Sequence, residues 1–439
     1  MASEWTEVQF GSLCDISRGA SPRPIQEWIA KEGIPWVKIA DASSAGSRYI
    51  QHTKECIRTE GRSKSVSVVP GDLILSNSAT PGIPMFMGIE ACVHDGWLLL
   101  RNFRGLDKLF AYYLLLHERP ALVAKGNGSV FTNLKTEILR NHKVVLPPLS
   151  IQRAIAHILG ALDDKIELNR RMNETLESMA RALFKSWFID FDPVHAKAEG
   201  RDPGLPADIA ALFPDSFQDS DLGEIPKGWA VRSLGELIKT VKGCSYTSDD
   251  LVDSDTALVT LKSFARGGGY RPDGLKSFAG SYKPEQVVTP GELVVACTDV
   301  TQAAAIVGRT AVVHGAAGYR TLVASLDTLI VRPNRQDVTR SFVYFLGRTD
   351  NFVAHTYSHT TGTTVLHLSK EAVPSFAFAL PPVQLIREFD SLANPALSRI
   401  QASDEQSETI AVLRDTLLPK LLSGEVRVKD VDQSMEAHV

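Results

Sequence analysis

At 439 residues the chain has room for two or three domains, each able to bury its own core. Its five cysteines form no CxxC pair, which argues against a zinc site or a disulfide framework and fits a reducing compartment. The N-terminal MASEWTEVQF lacks the regions of a leader, and no apolar run is long enough to span a bilayer, so a soluble cytoplasmic protein without a membrane partner is expected; the net charge of -4 excludes little until it is divided along the chain.

Residues 1–146 are a succession of short β-branched runs broken by turn residues: IPWVKIA (34–40), SVSVVPGDLIL (65–75) and HKVVLPP (142–148). LDKLFAYYLLLHE has helical spacing and predicts a short helix over Leu106 to Glu118. The stretch is an α+β module, and it is mildly basic, with 17 Lys and Arg against 14 Asp and Glu.

Residues 147–190 open on a double proline, and Pro148 suits a first helical turn because it has no donor to lose there. Behind it Ile155, Ile158, Leu162, Lys165, Asn169, Met172, Leu176, Met179 and Leu183 alternate spacings of three and four, a coiled-coil stripe with a polar middle. Residues 191–224 are rich in Pro, Asp and Gly and read as a linker.

Residues 225–380 then repeat the first module. PKGWAVRSLGEL answers EWTEVQFGSL, ALVTLKSFAR answers PWVKIADASS, VVTPGELVVA answers SVVPGDLILS, and TGTTVLHLSKEAV answers NGSVFTNLKTEIL. The offset is 224 at Trp5 and Trp229, 220 at the PGD and PGE turns, and 234 from Gly128 and Gly362 onward, so a constant frame carries interiors of changed length. This module holds 16 Lys and Arg against 13 Asp and Glu, whereas the segment between the modules carries 8 against 14 and the segment after them 6 against 10.

A second helix, 381–424, starts at the double proline ending in Pro382 and carries the stripe in the same register: Phe389, Leu392, Ala396, Arg399, Ser403, Gln406, Ile410, Leu413 and Leu417. Pro395 predicts a kink or a local break near Asn394. Forty residues of helix span about 60 Å, beyond a small domain's core, so the two helices are expected to pack on each other, antiparallel, with internal pseudo-twofold symmetry. Residues 425–439 form a tail.

Motifs that carry chemistry are missing. There is no phosphate loop, Asp192-Pro193-Val194 and Asn394-Pro395-Ala396 fail the amino-methyltransferase pattern, Pro272-Asp273 lacks nuclease spacing, and His355 and His359 lack the glutamate of an HExxH zinc helix. No catalytic residue, metal site or cofactor is therefore assigned to the chain.

The duplicated LPP-helix starts, LNRRMNETLESMARALFKSWFIDFDPV from Leu168, IPKGW from Ile225, the paired PGD and PGE turns and LLPKLLSGEVRV from Leu417 together resemble the specificity subunits of type I restriction-modification systems, over nearly the whole chain. That resemblance implies two α+β target-recognition domains, each reading half of a split double-stranded DNA site, joined by an antiparallel coiled coil. It also implies two modification subunits that bind S-adenosylmethionine and methylate adenine N6, and two restriction subunits that supply the motor and nuclease with ATP and Mg. One departure is Gln384, displaced relative to Gln152 in the first repeat. A helical spacer between two readers would measure distance along the duplex, and helix length would set the unspecified gap.

Reading needs Lys and Arg for phosphates and Asn, Gln, Ser, Thr or Arg for base edges. The candidates in the first module are Arg18, Ser21, Arg23, Lys38, the turn Ser76, Asn77, Ser78 and Thr80, and the loop Lys125, Asn127, Ser129 and Asn133. In the second they are Lys242, Tyr246, Lys262, Arg266, Arg271, Tyr282, Lys283, the turn Thr298, Thr301 and Gln302, and the loop His359, Thr361 and Thr363. The alternative is a coiled-coil scaffold that pairs two ligand-binding modules without touching DNA; a steep salt dependence of duplex binding separates the two.

Overall fold

The computed structural model describes residues 5–125, 133–300, 303–315, 318–333 and 337–430. The chain divides into two compact units, Met1–Glu167 with Thr409–Val439, and Leu168–Glu408.

In the first unit the strand Thr6–Gln9 pairs antiparallel with Lys143–Leu146, bringing the two ends of the module together beside the start of the first long helix. Between them lie two five-stranded sheets. One runs Asp15–Arg18, Trp97–Arg101, Leu73–Ser76, Pro84–Met87, Tyr49–Ile50, and the other Ile29–Ala30, Glu55–Ile57, Ile34–Val37, Ala91–Val93, Val66–Val68. The helix expected over Leu106 to Glu118 is present and longer, Lys108–Lys125, continuing through Pro120. Its Phe110 and Tyr113 pack with Phe10, Leu75, Leu98 and Leu139 on Ile155, Ile158 and Leu159 of the first long helix and Leu421 and Leu422 of the second.

The second unit repeats this plan. Ala230–Ser233 pairs antiparallel with Ala377–Leu380, and two four-stranded sheets follow, Ile238–Lys242 with Thr328–Pro333, Leu293–Ala296 and Thr310–Val312, and Lys276–Ser277 with Thr256–Val259, Thr321–Ala324 and Val287–Val288. The segment 191–224 carries the helices Asp192–Ala198 and Ala207–Ala210 and enters a hairpin of Phe217–Ser220 with Gly223–Pro226; its Val194 and Phe213 are buried in this unit's core.

The repeat is visible as the same main-chain hydrogen bonds made twice. Phe10 N–H to His142 O is matched by Leu234 N–H to Phe376 O, Gly19 to Trp97 by Gly243 to Thr328, Asn77 to Gly96 by Cys297 to Asp327, and Leu134 to Asn77 by Leu368 to Cys297. The PGD and PGE turns are built alike as well. Asp72 accepts the Val69 N–H at 3.0 Å and pairs with Arg101 at 2.5 Å, and Glu292 accepts the Thr289 N–H at 2.7 Å and pairs with Arg332 at 2.5 Å. The acid after the glycine therefore closes its own turn and anchors a neighbouring strand.

The long helices are Leu149–Phe188 and Val383–Ser423. They run antiparallel: Asn169 donates to Ser403 O at 3.2 Å, Gln406 Oε1 at 2.9 Å and Ser407 Oγ at 3.1 Å, while Asn173 donates to Asp404 Oδ1 at 2.7 Å. Asn169 and Ser403 are repeat-mates, 234 residues apart, so at this one position the helix meets its own counterpart. Phe389 of the second helix packs among Phe184, Trp187 and Phe188 of the first. In the first unit, the Asp163 carboxylate accepts from Arg414 of the second helix and from the Tyr113 hydroxyl, each at 2.5 Å, and lies 3.6 Å from the buried Arg48 guanidinium.

Two details differ from the seven-residue stripe. Ile155, Ile158, Leu162, Asn169, Phe389 and Ser403 are buried and Leu176, Leu183, Ile410 and Leu417 are half-buried, as is Lys165, but Met179, Leu392 and Leu413 are 65%, 49% and 44% exposed, and Arg399 faces out. Ala180, Phe184, Ala393 and Leu421 occupy the seam instead. An α-helix repeats at 3.6 residues per turn, so a strict heptad drifts off the contact line. The break expected near Asn394 is absent, and the helix runs unbroken through Pro395. Pro395 and Ser391, whose carbonyl loses its intrahelical donor, both lie on the exposed face, where water can satisfy that carbonyl. Gln152 is buried, donating to Gly105 O and Pro147 O and accepting from Asp107 N–H, whereas Ile386 takes the matching place in the second helix and Gln384 is exposed.

Candidate nucleic-acid interface

In the first module the strands Ile34–Val37 and Ala91–Val93 are parallel, so Lys38 and His94 leave the sheet at one edge. Asp15–Arg18 and Leu73–Ser76 both pair antiparallel with Trp97–Arg101, and their ends deliver Gly19 and Asn77 to that edge. Main-chain bonds from Gly19 to Trp97, Ala20 to Val93 and Asn77 to Gly96 lock these loops around the turn His94-Asp95-Gly96. Gly19 is required there by space alone, since a Cβ on it would lie 2.1 Å from the His94 carbonyl oxygen.

Asp95 gathers the loop side chains. Its carboxylate accepts the Ser21 hydroxyl at 2.8 Å and the Arg23 guanidinium at 3.1 Å, and its carbonyl accepts Arg18 Nε at 2.7 Å and Asn77 Nδ2 at 3.2 Å. Partial burial pushes the Asp95 carboxyl up, but Ser21, its own N–H, Arg23 and His94 together hold it below the usual range. His94 Nδ1 accepts the Gly96 N–H at 2.6 Å, and burial foremost holds the imidazole below its usual range, against the pull of Asp95.

The second module assembles the corresponding turn from Ser325, Leu326 and Asp327, after the parallel pair Thr256–Val259 and Thr321–Ala324. Here Asp327 accepts the Thr298 hydroxyl at 2.7 Å. Burial foremost, with Asp327 adding to it, raises the Tyr246 phenol. Thr298–Asp299 pairs with Leu366–Leu368, which pairs in turn with Thr360–Thr361, so the 298 turn and the 359–363 loop become one three-stranded sheet. A Cβ on Gly243 would lie 2.1 Å from the Ser325 carbonyl oxygen, the same close approach as at Gly19.

The remaining candidates are placed as follows. Ser78 is half-buried and Thr80, Asn133, Lys242, Lys262, Arg266, Lys283, Thr361 and Thr363 are exposed, as is Tyr282. Lys38 pairs with Glu55 at 2.6 Å, Arg271 pairs with Asp273, and Lys125 bonds His142 at 2.9 Å. Ser76 and Thr298 are buried, and their hydroxyls hold turns, Ser76 through Thr80 O and the Ile83 N–H. His359 Nδ1 lies 2.8 Å from His355 O, and His355 Nε2 lies 3.0 Å from Ala372 O. Asn127, Ser129, Thr301 and Gln302 lie outside the described residues. Among the described residues no group of three His, Cys, Asp or Glu is arranged to hold a metal ion, and no helix is long and apolar enough to cross a membrane. The residues missed from sequence are Asp95 and Asp327; the Asp-Gly step at 95–96 was a turn signal, but not a pointer to what the turn would gather.

Residues 2–178, the first module and most of its helix, match the family model of the type I restriction modification DNA specificity domain. The type I restriction enzyme MjaIX specificity subunit of Methanocaldococcus jannaschii is 24% identical over 98% of this chain and 95% of its own length. The HindI specificity subunit of Haemophilus influenzae is 21% identical over 97% of this chain and all of its own. Over nearly its whole length the chain is similar to type I specificity subunits. Its fold is shared with the type I restriction-modification S subunit from M. genitalium, at a TM-score of 0.53 and 15% identity over 95% of this chain and 96% of that one. This chain is thus α+β, two sheet-rich modules with a long antiparallel helix pair, and the hydrogen bonds above show the second module to be built as the first.

Proposed function

We propose that this chain is the non-catalytic DNA-reading component of a type I restriction-modification complex, with each module reading one half of a bipartite duplex site. The reading rests on one observation above all: each module brings loops to the corresponding edge of its own sheets, around an acidic turn, on a frame held by matching main-chain bonds. A frame that fixes loop position while leaving loop chemistry free suits sequence recognition, in which side chains on a constant scaffold meet base edges. Partner subunits would supply S-adenosylmethionine-dependent adenine methylation, and in the full assembly ATP- and Mg-dependent motor and nuclease work. The helix pair would set the gap between half-sites.

The test is binding of duplex DNA by the chain with its modification subunits across a salt series, with methylome sequencing of cells that carry the system. Phosphate contacts impose a steep fall of affinity with salt, and a split methylated motif is expected. Salt-independent binding, or methylation without a motif, refutes the proposal. Removing one heptad from each long helix is expected to change the gap and leave both half-site sequences intact.

A further inference from the structure

We infer that Asp95 is a positioning residue that presents the Arg18 and Arg23 guanidiniums to a guanine edge in the half-site read by the first module. The inference deepens the proposed function and rests on it. Four donors from two segments converge on this one residue, Arg18, Ser21 and Arg23 from one and Asn77 from the other, Ser21 and Arg23 on its carboxylate and Arg18 and Asn77 on its carbonyl, and none of these bonds is needed to build a sheet. Both arginines remain outward, with side chains 60% and 76% exposed; Arg23 is held at one point, and Arg18 through Nε with its Nη2 4.0 Å from the same carboxylate, so both keep donors open to solvent.

The carboxylate decides between the two things an exposed arginine can contact. Beside a phosphate, a fixed negative charge works against binding, because it repels the ligand as well as neutralising the guanidinium. Beside a base edge that repulsion is absent, since guanine O6 and N7 are uncharged acceptors matched to the arginine fork. Asp95, itself 39% exposed, can also accept from the amino group of the paired cytosine. Arg18 and Arg23 thus suit a G·C pair better than the backbone. Among the described residues the corresponding Asp327 holds a threonine hydroxyl and no guanidinium, so there the second module's turn is built differently.

The experiment uses the chain bound to its modification subunits and duplexes in which each half-site position is changed in turn, including replacement of each guanine by 7-deazaguanine, which lacks the N7 acceptor. Wild type is expected to lose roughly tenfold or more in affinity for one substituted guanine in the first module's half-site. R23K, which keeps the charge and loses the fork, should abolish that discrimination with the salt slope unchanged. D95N should weaken the same discrimination and leave the other half-site untouched. S21A, which removes the hydroxyl bound to Asp95 Oδ1, should do so more mildly and serves if D95N does not fold. The inference is overturned if R18A and R23A weaken all duplexes alike and lower the salt slope by about one each, as phosphate contacts would. It is also overturned if D95N and S21A fold and discriminate as wild type does. Failure of the proposed function is distinguishable, because wild type would then prefer no half-site at all.

Discussion

Phe389 is the residue whose replacement measures most directly how the second module is held to the helix pair. It is fully buried, and its ring meets Phe184 at 5.3 Å and 75°, Phe188 at 5.5 Å and 82°, Phe345 at 5.5 Å and 89° and Trp187 at 6.4 Å and 65°. All four are edge-on contacts of the kind worth about 0.5–1.5 kcal/mol beyond area burial. The site joins the start of one long helix, the end of the other and the helix Arg340–Leu346, so no single element can move to fill a hole. F389A is expected to cost about 3–5 kcal/mol, and F389L, which keeps most of the volume and loses the ring contacts, about 1–2 kcal/mol. Urea unfolding of the full chain, followed by near-ultraviolet circular dichroism, reads both. A double-mutant cycle with F184L should show coupling of about 0.5 kcal/mol or more, because the two rings touch. An F389A penalty below about 1 kcal/mol, or strict additivity in the cycle, would refute the argument that this aromatic cluster is the clamp.

Other outcomes follow from the same structure. N169L is expected to raise stability by about 1 kcal/mol, since Asn169 Oδ1 is buried without a partner, while broadening the gap between methylated half-sites; a loss above about 2 kcal/mol in urea unfolding would show that the donor bonds dominate. G19A and G243A should each cost about 1–3 kcal/mol, as a Cβ 2.1 Å from a carbonyl oxygen forces the sheet edge apart; thermal melts within 1 °C of wild type would contradict this. Burial foremost raises the Asp404 carboxyl to about 6 from 3.8, despite the bond from Asn173, with Glu408 and Glu405 adding to the rise. A folded value above the unfolded one favours the folded state below pH 3.8, and that contribution is lost as the pH climbs through about 6. Wild type should therefore lose stability relative to D404N between about pH 4 and 6, and parallel stability curves over that range would exclude it.

Much of this architecture was legible because its signals are local. Double prolines mark both helix starts, β-branched runs bounded by Gly and Pro mark the strands, and the PGD and PGE turns carry their closing acid in place. The antiparallel pairing at Asn169 and Ser403 followed from a stripe whose polar middle recurs at a fixed offset. What was not legible depends on distance. Leu392 and Ala393 exchange places because helical twist, summed over turns, outruns the heptad. Val194 and Phe213 are buried only because a core stands beside a Pro- and Asp-rich stretch. Asp95 acquires its role from Ser21 and Arg18, 74 and 77 residues away, and no spacing in the sequence announces that contact.

The duplicated main-chain bonds also bear on how such a protein can change. Each tie from Gly19 to Trp97 or from Asn77 to Gly96 is written in amide and carbonyl, groups that nearly every substitution leaves in place. Inheritance can therefore rewrite the side chains at the rim, or lengthen a loop between two ties, without renegotiating the fold. One module can thus diverge at its rim while the other stays as it was. The low identity between this chain and its relatives is then the ordinary outcome of a body plan whose fixed points are nearly blind to sequence.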